Sequence, residues 1–476
     1  MCSLRLPCHF MRCILPPQNS LVKSFFKIFS IFYFSVDRHK KCEYNNYRRQ
    51  GRLLIAVEET VTVAPLFLLK GDDEMVYTAN EVYDFVKEED VKFIRLAFCD
   101  VHGKQKNVSI MPNELMRAFK SGISFDASAV AGFGDEVKSD LLLFPIPSTL
   151  NVLPWRPSHG KVVRMFCEIK KPDGTPFLKD TRHILKNAVE FAEKKGISVS
   201  FGPEFEFYLF KTDENGNPTK QPFDNAGYMD IAPDDKGENV RREICLTLLE
   251  MGITPETSHH EEGPGQNEID FRYGDALTSA DNAMNFVTVV NAAAGRNGLY
   301  ADFSPKPLEN KSGNGMHINI SVKEKGGKDV TDKFMAGILN HIKEMTAFLN
   351  PTENSYSRLG ERKAPKYITW SAENRSQLIR IPAAEGEYKR IELRSPDPFA
   401  NPYLAYALII YAGIDGIEKD MEIPSPVDIN LFTASKEITD KFDTLPKTFN
   451  EALKIADNSE FIKNILNSGA SEFFGI

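Results

Sequence analysis

Four stretches of this 476-residue chain alternate charged or polar side chains with large apolar ones, and that period of two constrains the fold more than any other feature. Side chains at i and i+2 of a strand point to the same face. In SFGPEFEFYLF, Glu204 and Glu206 face one way while Phe205, Phe207 and Leu209 face the other. In QNEIDFRY, Glu268, Asp270 and Arg272 oppose Ile269, Phe271 and Tyr273. In GMHINIS, His317, Asn319 and Ser321 oppose Met316, Ile318 and Ile320; in KRIELRS, Arg390, Glu392 and Arg394 oppose Ile391 and Leu393. A single strand of this kind belongs to any antiparallel sheet with one wet face. Four together do not, because solvated faces favour Thr, Lys and mixed polar groups. Carboxylates brought close raise one another's pKa unless divalent ions neutralise them, and oxygen ligands with one imidazole suit Mg²⁺ or Mn²⁺. The alternation therefore predicts a metal-binding sheet face bearing Glu204, Glu206, Glu268, His317 and Glu392.

With 42% hydrophobic residues, the chain is long enough for two domains and a large core. A net charge of −8 argues against an electrostatic nucleic-acid binder. The seven cysteines, at 2, 8, 13, 42, 99, 167 and 245, show neither a C-x-x-C pair nor zinc-finger spacing, so a reducing cytoplasm is expected. Residues 1–74 differ from the rest: they hold 11 basic against 7 acidic residues and an aromatic run from Phe25 to Phe34. The run Leu21 to Val36 is interrupted by Lys23 and Lys27 and lacks a small-residue cleavage pattern, so neither a membrane span nor a signal peptide is expected. Residues 1–74 are expected to form a non-core extension. Lys70 to Glu74 can be encoded by a purine-rich tract ahead of the Met75 codon, which makes Met75 a candidate start.

The segment TANEVYDFVKEED predicts a helix capped by Thr78, and KFIRLAFCDVHGKQKNVSI predicts a hairpin around a His-Gly turn. More short strands carry this first domain to the turn-rich KPDGTPFLKD, giving boundaries of 75–174 and 175–476. An amphipathic helix over Thr181 to Lys195 opens the second domain, followed by strands alternating with helices. The class is α+β.

From about Met75 to Ile476, these segments resemble the bacterial-type (class I) glutamine synthetases. FGPEFEFYLF resembles that family's first metal strand, HHEEGPGQNEIDF its second, SGNGMHINIS its histidine loop, NRSQLIRIPAA its nucleotide-phosphate segment, and KRIELRSPDPFANPYLA its last catalytic strand. The resemblance implies an N-terminal β-grasp domain, a catalytic domain with a curved, funnel-like antiparallel sheet covered by helices, and a homo-oligomer, a dodecamer of two hexameric rings. It implies one metal held by Glu206, Glu261 and Glu268 and a second by Glu204, His317 and Glu392. His259 and His260 fall outside that set. Arg358, Arg394 and Gly313 would hold L-glutamate, Arg375 and Arg380 the transferred and neighbouring phosphates, and Arg390, Asn319, Tyr273, Ser321 and Glu256 the ATP. Asp126, in SFDASAV, would enter the neighbouring subunit's site to bind ammonium, with Asp140 supporting its loop. The implied reaction forms γ-glutamyl phosphate from glutamate and ATP, and ammonia then displaces phosphate.

Several positions depart from the family pattern. Lys363 precedes Ala364-Pro365 where a flap glutamate is usual, leaving Glu361 as the nearest substitute. Ser312 stands where an asparagine is common, with Gly313 and Asn314 beside it; Phe432 replaces the tyrosine that some relatives adenylylate; Asp135 replaces an arginine used in feedback elsewhere. The altered flap admits a rival reading as a γ-glutamyl amine or polyamine ligase. A catalytically silent nitrogen-sensing homologue is the other rival, yet no metal ligand is lost.

Overall fold

The computed structural model describes residues 43–44, 55–57, 60–62 and 77–476, apart from 135–136, 138, 157–159, 384–385 and 387–388. Within the N-terminal stretch, β1 (Glu43–Tyr44), β2 (Ile55–Val57) and β3 (Thr60–Thr62) pair antiparallel. The other expectations for residues 1–74, the start at Met75 and Asp135 lie outside the described residues.

Thr78 caps the helix Ala79–Glu88 through a reciprocal box. Its hydroxyl accepts the Glu81 N–H at 3.3 Å, while the Glu81 carboxylate accepts the Thr78 N–H at 2.7 Å. β4 (Val91–Cys99) and β5 (Gln105–Ile110) form the expected hairpin. With β6 (Ile123–Asp126), β7 (Asp140–Pro145), β8 (Asn151–Val152) and β9 (Lys161–Lys170) they build a six-stranded sheet of order β5-β4-β9-β7-β6, β8 pairing with β9. The β4–β9 pair alone in this sheet is parallel.

The helix Thr181–Lys194 leads into β10 (Ile197–Thr212), a 16-residue strand around which the second sheet is organised. Its partners are β11 (Pro218–Pro222), β13 (Gln266–Phe271), β14 (Gly274–Asp275), β15 (Leu299–Asp302) and β16 (Met316–Glu324). β12 (Pro255–His260) extends one side; β17 (Trp370–Ala372), β18 (Ile379–Ile381) and β19 (Ile391–Leu393) extend the other.

The apolar face of β10 lies against helices. Phe205 sits 5.0 Å, ring to ring, from Phe286 of the helix Ala276–Arg296, and Phe201 stacks on Tyr406 at 4.1 Å. Removing one such ring from a packed core costs roughly 3–5 kcal/mol, so this layer holds the opposite, polar face in place. Tyr406 belongs to the helix Pro402–Glu418, which is buried on nearly every side, as its unbroken apolar run demands. That helix meets Thr331–Leu349 so closely that a Cβ on Gly337 would lie 2.0 Å from the Ala412 carbonyl oxygen. Only glycine permits this approach.

Polar contacts join the parts of the chain that carry the two sheets. The buried Asn401 donates to the Asp100 carbonyl at 3.2 Å, and the half-buried Lys179 donates to the carbonyls of Gly132 and Glu472, each at 2.9 Å. Among the described residues, no helix is long and apolar enough to cross a membrane.

Candidate active site

Strand register turns the alternation into rows. Glu206 pairs with Glu268 across β10 and β13, and Glu204 has Asp270 on one side and His317 on the other. In the next row Asn319 faces Glu392, which faces Arg380 of β18. One face of the sheet thus collects carboxylates from three strands, β10, β13 and β19, around the His317 imidazole of β16.

Ligand atoms of Glu204, His317 and Glu392 lie within 4.8 Å of one another, as do those of Glu206, Glu268 and His317. Glu268 also joins His259 and Glu261 in one group, and Glu204 and Asp270 in another. The second proposed trio is therefore assembled as expected. Glu206 and Glu261 each meet Glu268, but in separate groups. His259, placed outside the ligand set by the resemblance, brings Nε2 to 3.2 Å from Glu268. His260 is structural: its Nε2 bonds the buried Asp224 at 2.9 Å and its Nδ1 the Glu261 carbonyl at 2.6 Å.

The electrostatics ask for cations. Burial first, and then the charges of Glu268 and Glu261, hold the Glu206 carboxyl well above the usual carboxylate range. Burial followed by Asp270 and Glu204 does the same to Glu268, burial raises Glu261, and burial with Glu204 pushes Asp270 to about 7. Burial and the Arg394 charge keep His317 well below its ordinary value, hence neutral and free to ligate. Glu392 Oε2 and Asp270 Oδ1 are buried without a hydrogen-bond partner, although Arg380 Nη1 lies 2.8 Å from the former. Crowded carboxylates, with the Asp270 Oδ1 left unpartnered, beside a neutral imidazole fit a divalent cation with oxygen preference, Mg²⁺ or Mn²⁺. Three hydrogen bonds orient the set: Asn319 to Glu204 at 2.7 Å, and the Gly315 N–H and the Gln266 amide to Glu206 at 2.8 and 3.3 Å.

The arginines ring this face. Arg394 and Arg380 both pair with Glu392. Arg358 is buried and donates to the carbonyls of Ser395 at 2.8 Å and Arg394 at 3.3 Å. Gly313 packs directly on it, since a Cβ there would reach 2.9 Å from Arg358 Cγ. Arg375 exerts its charge on His317, Arg380 and Tyr228. Arg390 donates Nε to Asn319 Oδ1 at 2.9 Å, and Asn319 thereby links it to Glu204.

Toward the far end of β10, Ser321 pairs with Ser200, Tyr273 is exposed just beyond β13, and Glu256 on β12 lies 3.9 Å from Arg272. Asn314 is not available to a substrate. Its amide is fully buried, donating to the Asp302 and Ser304 carbonyls and accepting from Gln266. Asp126 ends β6 of the other sheet, exposed, accepting from the Ser128 N–H and hydroxyl; Asp140 is its partner in register on β7.

The flap differs from expectation in which residue meets the carboxylate face. Glu361 is exposed and its charge acts on Lys306. Lys363 instead bonds Glu262 at 2.7 Å and lies over the Tyr228 ring. Neither Tyr228 nor Glu262 was legible beforehand, because both sit in loops without periodicity. Asp270 already lay on this face by alternation, and His259 could have been found by pairing β12 and β13 in register, which sets it opposite Glu268.

Comparison with known proteins agrees with this geometry. Residues 178–475 match the family model described as glutamine synthetase, catalytic domain, and residues 90–172 match glutamine synthetase, beta-Grasp domain. The chain is 46% identical over 405 residues to a glutamine synthetase of Clostridium saccharobutylicum, covering 82% of this chain and 91% of the relative. It is also 46% identical over 404 residues to that of Methanosarcina mazei, covering 82% and 90%. Among solved structures, a GmaS/ADP complex superposes with a TM-score of 0.76 at 30% identity, covering 84% of this chain and 94% of the other. Plasmodium falciparum glutamine synthetase gives 0.73 at 25% identity, with the same coverage. The smaller sheet is thus a β-grasp domain, the larger one a catalytic domain, and the chain belongs to the glutamine synthetase family of enzymes.

Proposed function

We propose that this chain joins ammonia to the γ-carboxylate of L-glutamate through γ-glutamyl phosphate, converting ATP to ADP and phosphate. The observation that carries this reading is the single sheet face on which Glu204, Glu206, Glu268, His317 and Glu392 meet, ringed by Arg358, Arg380 and Arg394. Divalent ions held by these carboxylates, Glu261 and His317 would neutralise phosphate charge and polarise the transferring group.

The chain's own residues then divide the work. Arg358 and Arg394, with the Gly313 backbone, hold glutamate by bidentate contacts with its carboxylates. Arg375 and Arg380 steady the charge spread over the transferring phosphoryl oxygens. Arg390, Asn319, Ser321, Tyr273 and Glu256 line the nucleotide end. Ammonium must bind to a carboxylate and lose a proton before it attacks, and Asp126 of a neighbouring subunit serves that step. This makes a homo-oligomer, in the family's dodecameric form, part of the active enzyme. Residues 75–174 and 175–476 are its two domains, and the cytoplasm is its compartment.

A second reading, ligation of a primary amine in place of ammonia, is favoured by one observation: Lys363 stands where a flap carboxylate is usual, and it is bonded to Glu262. Product identification separates the two. With ATP, Mg²⁺, glutamate and ¹⁵N-ammonium, the expected product is glutamine labelled in its amide, with one phosphate released for each; labelled amide absent under ammonium but formed from methylamine favours the second reading.

A further inference from the structure

A second group of charged side chains, Asp224, Asp235 and His260, is buried next to the carboxylate face. Their potential ligand atoms lie within 4.8 Å of one another, a spacing that would suit a further cation. The hydrogen bonds leave no room for one. Asp224 Oδ1 accepts from His260 Nε2 at 2.9 Å, from the Gly265 N–H at 2.8 Å and from the Ala226 N–H at 3.4 Å, while its Oδ2 accepts the Lys236 N–H at 3.0 Å. The other ring nitrogen of His260 faces the Glu261 carbonyl at 2.6 Å. Arg241 takes both oxygens of Asp235, at 3.2 and 2.5 Å.

What these bonds hold is the turn between Glu261 and Glu268. Gly265 ends its Gly263-Pro264-Gly265 corner at φ 69°, in the left-handed region that suits glycine. The Gly265 N–H is bonded to Asp224, and its carbonyl accepts from Asn267 Nδ2 at 2.9 Å. Asn267 Oδ1 in turn accepts from Arg241 Nη1 at 2.6 Å. Asp224 thus grips both limbs of the turn, the incoming one through His260 and the outgoing one through Gly265. Glu261 follows His260 directly, and Glu268 follows Asn267. A buried charged pair adds little net stability over apolar packing of the same shape, so what it supplies here is fixed geometry. We propose that Asp224 and His260, neither of them a ligand, are positioning residues that set Glu261 against Glu268 and so tune cation binding at the site these two form with Glu206. This rests on the reading of Glu206, Glu261 and Glu268 as one cation site. Groups that orient a ligand govern metal affinity nearly as strongly as the ligand itself.

Calorimetric titration of Mn²⁺ into the assembled full-length protein tests this. Asp224→Ala is expected to weaken one class of Mn²⁺ site about 10–100-fold and to leave the other, that of Glu204, His317 and Glu392, unchanged. Asp224→Asn keeps an oxygen for His260 and Gly265 and is expected to restore most of the affinity. His260→Gln places an amide nitrogen near the position of Nε2, keeping a donor for Asp224 while removing the one that faces the Glu261 carbonyl. It is expected to weaken the same site, and it carries the test if Asp224→Ala does not assemble. Glu261→Gln is the reference: in that background His260→Gln is expected to have no further effect on Mn²⁺ binding, because its influence passes through Glu261. A merely structural loosening would add to the loss. Unchanged Mn²⁺ affinity in His260→Gln, equal weakening of both sites, or an effect that persists undiminished in the Glu261→Gln background overturns the positioning role. Glu261→Gln that binds Mn²⁺ as tightly as the unsubstituted protein, or an unsubstituted protein that binds none, overturns instead the cation-site reading beneath it.

Discussion

Glu268 of β13 stands directly opposite Glu206 of β10 in the antiparallel ladder. Like charges opposed across strands destabilise a sheet, and here the pair is also buried against further carboxylates. The arrangement is compatible with a folded protein only where protons or cations supply the missing positive charge.

That relationship fixes a pH dependence. Glu206, Glu268 and Asp270 have folded pKa values above their unfolded ones, so they favour the folded state in acid, and that contribution is lost as pH rises through the folded values. For Asp270 the window runs from 3.8 to about 7. Metal-free protein is expected to lose thermal stability across that range, and Mg²⁺ to restore most at its upper end. Melting scans at stepped pH in chelator and in Mg²⁺ check this; parallel curves would count against a metal role for the pair.

Asn319 contacts Glu204 with its amide nitrogen and Arg390 with its amide oxygen. Asn319→Ala removes no proposed metal ligand but releases one, and is expected to weaken Mg²⁺ affinity or activity roughly 10–100-fold, as for other groups that orient ligands. Calorimetric titration of Mn²⁺ or Mg²⁺ into both proteins reads the change directly, and equal affinities would contradict the assignment.

Asp126 lies on the β-grasp sheet, whereas the carboxylates lie on the catalytic one. If sites are completed between subunits, Asp126→Ala and Glu268→Gln are each expected to be inactive alone. Co-assembly of the two is expected to recover part of the activity, because some interfaces then carry both intact residues. Mixed assemblies without activity would place Asp126 elsewhere.

His341 is held between Glu344 and Asp415 and stacks on Phe461 at 4.0 Å. Burial depresses its pKa, but the hydrogen bonds to the two carboxylates outweigh that and raise it above 6.5. Its stabilisation is therefore complete below 6.5 and is lost as pH rises through the folded value. Near pH 6, His341→Gln is expected to cost about 1.5–3 kcal/mol in denaturant unfolding, the deficit shrinking in alkali. A deficit independent of pH would show that the imidazolium charge is not what matters.

Much of this site was legible because β-strands expose a period of two: Glu204, Glu206, Glu268, His317 and Glu392 were all readable from alternation. The pattern gives a face but not a neighbour, so it did not show that Glu268 is common to several groups of potential ligands. Glu261 precedes a Gly-Pro-Gly turn and emerged only from its motif. The helix expected over Thr181 to Lys195 is found at Thr181–Lys194, since its cap by Asp180 is local chemistry. Lys363 was visible as a departure, but its partner Glu262 was not, because a loop-to-loop ion pair leaves no periodic trace.

The assignment is tested most directly by phosphate release from the purified, assembled protein given ATP, Mg²⁺ and glutamate, with and without ammonium or a panel of primary amines. The expected result is release that requires glutamate and Mg²⁺ and rises with ammonium, accompanied by glutamine. Binding of ATP with no phosphate release under any nitrogen donor would contradict it.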